Sequence, residues 1–90
     1  MLDAKEVFRA FGSKASRDPK SNMLIRDERQ RVWATLGAID GFFVHDRESW
    51  GWWLHLSIGG ERCTIRQTNE GTFWEDLPSQ SAITQLQLVL

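Results

Sequence analysis

Few residues in this chain are equipped for chemistry. There is one cysteine, Cys63, and there are two histidines, His45 and His55. A cysteine nucleophile needs a thiolate, and a thiolate needs a base or a cation beside it. Only His45, approaching from a neighbouring strand, offers that base. Cys63 sits in an alternating strand pattern that turns it toward Leu56, where a thiol is inert. His45, His55, Cys63, Asp46 and Glu48 include metal-ligating types, but none has a recognised ligand spacing. The pairs Glu75-Asp76 and Asp46/Glu48 flank turns or strand ends, where carboxylates are solvated. No phosphate-cradling glycine loop is present, because Gly59-Gly60 is explained by a hairpin. The expectation is therefore a chain that is not an enzyme and holds no metal and no cofactor.

The aromatic residues are richer. Trp50-Gly51-Trp52-Trp53-Leu54-His55 places three of the five tryptophans within four positions. Trp52 to Ile58, Gly59-Gly60 and Glu61 to Gln67 form two alternating runs around a two-glycine turn, a strong hairpin signal. A two-residue loop sets the register by counting. Ile58 then faces Glu61, Leu56 faces Cys63, Leu54 faces Ile65 and Trp52 faces Gln67. On the other face Ser57 meets Arg62, His55 meets Thr64 and Trp53 meets Arg66. The Leu54/Leu56 face must be core. Trp52 joins it, and so does Trp50 if the strand reaches that far.

Trp53, His55, Thr64 and Arg66 are left outside as a candidate partner-binding surface, since Trp and Arg are enriched at binding hot spots. The bland alternative is an intramolecular cation–π pair between Trp53 and Arg66, or a Trp53 covered by the C-terminal segment. On this basis the chain reads as a small interaction module without catalysis of its own. It would bind a protein partner or itself, as an accessory regulator or an inhibitor.

A nucleic-acid-binding domain is the alternative. From Met1 to Trp33 the chain carries +3, and from Ala34 to Leu90 it carries −4. Lys14, Arg17, Lys20, Arg26, Arg29 and Arg31 could contact phosphates, with Trp33 or Trp53 stacking on bases. Asp18, Asp27 and Glu28 dilute that stretch, which favours a solvated face. An exposed tryptophan with polar neighbours would also suit a carbohydrate, a reading disfavoured by the absence of a secretion signal.

The elements that must position these residues follow from periodicity. Ala4, Val7, Phe8 and Phe11 predict a helix over Asp3 to Phe11, with Asp3 accepting at its start and Gly12 ending it. Ser13 to Asn22 has almost no apolar content and reads as a solvated loop. Asp27 to Leu36 has helical composition and is expected as a second helix. The competing reading makes Val32 to Ile39 a strand turning through Asp40-Gly41. Phe42 to Asp46 is a strand in both versions. Thr68 to Gly71 is a turn, and Thr72 to Trp74 begins another strand. From about Ser81 the tail is expected as a helix gathering Ala82, Ile83, Leu86, Val89 and Leu90, with Leu88 outside the arc. The fold class is α+β: a small antiparallel sheet of three to four strands, with central hairpin 52–67, packed against an N-terminal helix and one or two further helices.

Ninety residues make one domain, 1–90. A lone cysteine excludes an internal disulfide. No signal peptide or membrane-length apolar run is evident, so a cytoplasmic location and no membrane partner are expected. A tail ending in Leu86, Leu88, Val89 and Leu90 exposes apolar atoms, and a homodimer would cover them.

Overall fold

In the computed structural model the described residues are 2–17, 24–25, 31–46, 48 and 50–90. Helix α1 spans Ala4–Arg17. Six strands follow: β1 Leu24–Ile25, β2 Arg31–Leu36, β3 Ile39–Asp46, β4 Gly51–Ile58, β5 Glu61–Thr68 and β6 Gly71–Asp76. Helix α2, Gln80–Val89, closes the chain. The strands form one antiparallel sheet in the order β1-β2-β3-β4-β5-β6, so each pairs with its neighbour in sequence. β1 has two residues, leaving five strands of full length where three to four were expected.

The β4–β5 register is the one obtained by counting, with Leu54 opposite Ile65, Leu56 opposite Cys63 and Trp53 opposite Arg66. Gly59 and Gly60 both have positive φ, +56° and +83°. A turn with two left-handed residues matches the twist of its flanking strands. Thr68 to Gly71 likewise joins β5 to β6.

The expected helix over Asp27 to Leu36 is corrected. Residues 26–30 lie outside the described residues, and Arg31–Leu36 is strand β2. Alternation explains this better than composition does. Val32, Ala34 and Leu36 pair with Phe43, Gly41 and Ile39 on the core side. Val, Trp and Thr are strand-favouring, and tertiary pairing overrides a weak helical propensity. The turn is Gly37-Ala38, not Asp40-Gly41, and Gly37 takes φ +57°.

Gly41 is used for close approach instead. It lies in β3 beneath α1, and a Cβ there would sit 2.9 Å from Leu56 Cδ2 and 3.2 Å from Phe11 Cδ1.

Helix α1 also outruns its expected stop. Asp3 does accept at its start, from the Lys5 N–H at 3.1 Å. Beyond Phe11 the helix continues through Gly12, because Ala15 falls one turn on and is buried. Residues 13–17 are thus helical, and the rest of the expected loop, up to residue 22, lies outside the described residues.

The core contains Val7 and Phe11 of α1, Phe43, Leu54, Leu56, Ile58, Cys63 and Ile65 of the sheet, and Leu86 of α2. Both helices therefore cover the same face. Trp74 contributes its indole N–H to the Leu2 carbonyl at 3.0 Å, tying β6 to the start of α1.

Helix α2 is capped by Ser79, whose hydroxyl accepts from the Ala82 N–H at 3.2 Å. Glu61, at the tip of the central hairpin, accepts from the Ser79 N–H at 2.8 Å and from its hydroxyl at 2.6 Å. These bonds hold the Glu61 carboxyl below the usual glutamate value, so they stabilise above that range and are lost as pH falls through the lowered value. Leu88 is 81% exposed, as its position outside the apolar arc requires.

Replacing Gly41 by valine should cost about 1–3 kcal/mol, because the added methyls must displace Leu56 and Phe11 from a filled core. A lowered urea midpoint at unchanged slope would register this; an unchanged midpoint would mean that α1 lies higher above the sheet.

Candidate functional site

Strand alternation places every second residue of β2 to β5 on the face away from the helices, and β6 follows up to a register shift opposite Thr64 and Ile65. One row across that face runs Trp33, Phe42, His55 and Thr64; the next includes Val44, Trp53, Arg66 and Phe73.

The first row is a continuous stack. Trp33 and Phe42 have ring centroids 4.8 Å apart. Phe42 and His55 lie 5.0 Å apart with planes at 30°. His55 Nδ1 and Thr64 Oγ1 share a hydrogen bond at 3.2 Å, whose direction is set by the imidazole tautomer. The Trp33 Nε1–H is buried and has no hydrogen-bond partner among the described residues. A concavity of about 510 Å³ opens beside this row, lined by Trp33, Asp40, Phe42, His55, Ser57 and Arg62 among others. Asp40 accepts from the Thr35 hydroxyl at 2.9 Å.

The second row is built around Arg66. Its guanidinium carbon stands 4.0 Å from the centroid of the Trp53 ring. Nη2 donates to Asp46 Oδ2 at 2.8 Å, and Nη1 donates to the carbonyls of Trp52 at 3.0 Å and Gln67 at 3.4 Å. The intramolecular cation–π pair is thus formed, and it belongs to a larger clamp on the base of the β3–β4 hairpin. Gly51 belongs to the same clamp: a Cβ there would strike the Gln67 carbonyl and lie 2.8 Å from Arg66 Nη1.

The four residues singled out as a partner-binding surface do lie together on this face, but not equally accessible. Thr64 is 9% and Arg66 8% exposed, while Trp53 and His55 are half-buried. Contact area would come from Trp53 and His55 together with Trp33, Phe42, Val44, Phe73 and Arg62. Phe42 and Phe73 follow from extending the alternation to β3 and β6; Trp33, singled out above only for stacking on bases, joins the row once β2 is a strand.

Trp50 corrects another expectation. It lies in the turn before Gly51, outside β4, with φ +55° and 83% of its surface exposed. A left-handed residue breaks the alternation that would have turned it inward. Trp52 does pack on the core, edge-on to Phe43 at 6.4 Å.

Cys63 is buried, and burial pushes its thiol up to about 11, with Glu61 and Asp76 adding repulsion. Its register partner is Leu56, and Leu56 pairs onward to Gly41 of β3. His45 stands four residues beyond Gly41, roughly 13 Å along the strand at about 3.3 Å per residue. His55 points to the opposite face. Neither imidazole can serve the thiol. Among the described residues no three His, Cys, Asp or Glu side chains gather as a metal site.

Of the basic set, Lys14 lies on α1, Arg17 ends that helix and Arg31 begins β2. Lys20, Arg26 and Arg29 lie outside the described residues. Among the described residues no helix is long and apolar enough to cross a membrane.

No protein-family model matches this chain, and neither the curated proteins nor the solved structures contain a match.

Three outcomes follow from this geometry. Arg66→Ala should cost about 3–5 kcal/mol in chemical denaturation, because Asp46 and two carbonyls lose a buried donor; a cost under about 1 kcal/mol would mark the clamp as ornamental. Trp50→Gly should raise stability by about 1 kcal/mol by relieving a left-handed tryptophan, read as a raised thermal midpoint. Native Cys63 should react with a disulfide reagent at pH 8 on the order of a hundredfold more slowly than the unfolded chain, its thiolate fraction being about one part in a thousand against about a quarter for a free thiol.

Proposed function

We propose that this chain is a small non-catalytic interaction module that binds a protein partner on the open face of its sheet. One observation carries the reading: α1 and α2 share one face, and the opposite face bears Trp33, Phe42 and His55 as one continuous ring stack. An aromatic sheet face of this kind suits contact with a second apolar layer, and we assign that layer to a protein partner.

The chemistry of the face suits a protein surface. Half-buried rings set in a rigid sheet give contact area at low entropic cost. The Arg66 clamp fixes Trp53 in position, so little ordering remains for binding. At the rim of the concavity Asp40 and Arg62 flank Ser57 across neighbouring strands and offer one charge of each sign. A partner with an aliphatic or aromatic patch, edged by a cation on one side and an anion on the other, would match it. The balance of signs is unlike the cationic footprint that a phosphate backbone demands.

The burial of Cys63, and its separation from both histidines, supports an accessory role over a catalytic one.

The test is purification of partners from native lysate, with and without nuclease, followed by affinity measurement on the purified pair. Arg62→Glu and His55→Ala should each weaken binding by about tenfold or more. Gln87→Ala, on the exposed side of α2, should leave it unchanged. Unaltered affinity in both face variants would move the binding site elsewhere. Retention that vanishes with nuclease would point to nucleic acid instead.

A further inference from the structure

The helix-covered side of the molecule carries a second feature, independent of the open face. Between α1 and the sheet lies a groove of about 250 Å³, lined by Phe8, Gly12, Ala15, Val32, Phe43, Trp52 and Gln67. Small-molecule pockets start at roughly 300 Å³. This groove is the size of one large side chain. Its walls are apolar except for Gln67. The Gln67 amide nitrogen points to the Thr72 hydroxyl at 3.4 Å. Its carbonyl oxygen accepts nothing from the described residues. The groove therefore asks for a large ring with one hydrogen-bond donor.

The chain displays such a group. The Trp50 indole is 83% exposed and makes no ring contact or hydrogen bond among the described residues. Its backbone is held at φ +55°, a conformation that costs a bulky residue about 1–2 kcal/mol. That cost persists because the turn is over-determined. Gly51 is wedged against Gln67 and Arg66, and Arg66 bonds to Asp46 and to the Trp52 carbonyl on either side of the turn. Strain maintained in this way is a pointer to use.

The indole and the groove also sit at the same end of the sheet. Trp52 and Gln67, which pair across β4 and β5, line the groove, and Trp50 precedes Trp52 by two residues. A patch that contains both an anchor and its receptor can meet its own copy about a two-fold axis, each partner giving and receiving once.

We propose that the Trp50 indole of one protomer seats in the α1–sheet groove of a second copy, and reciprocally, with its N–H donated to the Gln67 side-chain carbonyl. An aromatic side chain buries about 150–250 Å². Two of them fall short of the roughly 800 Å² per partner of a standard interface. The dimer is accordingly weak and forms in the upper micromolar range.

Sedimentation equilibrium from about 10 μM to 1 mM tests this. The wild type should show a reversible monomer–dimer equilibrium. Trp50→Gly, which keeps the turn and removes the ring, should weaken it by about 30-fold or more. Gly12→Leu should do the same by filling the groove, and Gln67→Leu should weaken it without filling anything. Mixing the Trp50→Gly and Gly12→Leu chains should restore part of the association, because one indole and one open groove remain in the mixed pair. A wild type that stays monomeric at 1 mM overturns the proposal. So does a dimer whose constant is unchanged in Trp50→Gly, or one that the mixture fails to rescue.

Discussion

Everything in this molecule hangs on the period of two in the central hairpin. Gly59 and Gly60 are both left-handed, and a two-residue turn admits one register between β4 and β5. A slip of one residue would carry Leu54, Leu56, Cys63 and Ile65 from the helix side to the open side. The core would be turned to water, and the Trp53–Arg66 pair would be driven beneath α1. Because β3 and β6 pair onto this hairpin, they inherit its assignment of faces. The two turn glycines thus decide which rings fill the interior and which line the surface.

That dependence explains what could be read from the chain. The hairpin register, the outward pairing of Trp53 with Arg66, the start of α1 and the exposure of Leu88 all follow from local spacing. Each rests on an alternation or a turn contained within about sixteen residues. The misreadings share a different cause. Arg31–Leu36 has helical composition, and only its pairing with Ile39–Val44 makes it a strand. Gly12 looks like a helix stop until Ala15 is seen to be buried beyond it. Trp50 looks like a core residue until one positive φ breaks the alternation. In each case a tertiary contact or a single backbone angle overrides a local rule.

The site was legible to the same degree. Alternation found the outer face but not its population. Thr64 and Arg66 are nearly buried, so Trp53 and His55 present most of the surface of the four. The ring stack needs β2 to be a strand, so the continuity of Trp33 with Phe42 does not follow from the preferred helical reading of that segment. Arg66 illustrates the point well. A cation opposite a tryptophan suggests a binding surface, whereas three hydrogen bonds, one of them to the Asp46 carboxylate, make it a structural tie.

The strand order has a kinetic consequence. Every strand pairs with the one before it in the chain, and every connection among β2 to β6 is short. The entropy of closing loops is therefore met in small instalments, one hairpin at a time. Open sheets of this length usually require distant segments to meet before any contact rewards them. Here the sheet can grow outward from a single turn, and the docking of α1 against β6 is the closure that spans the most chain, joining Leu2 to Trp74. The hairpins can therefore form before α1 completes the core.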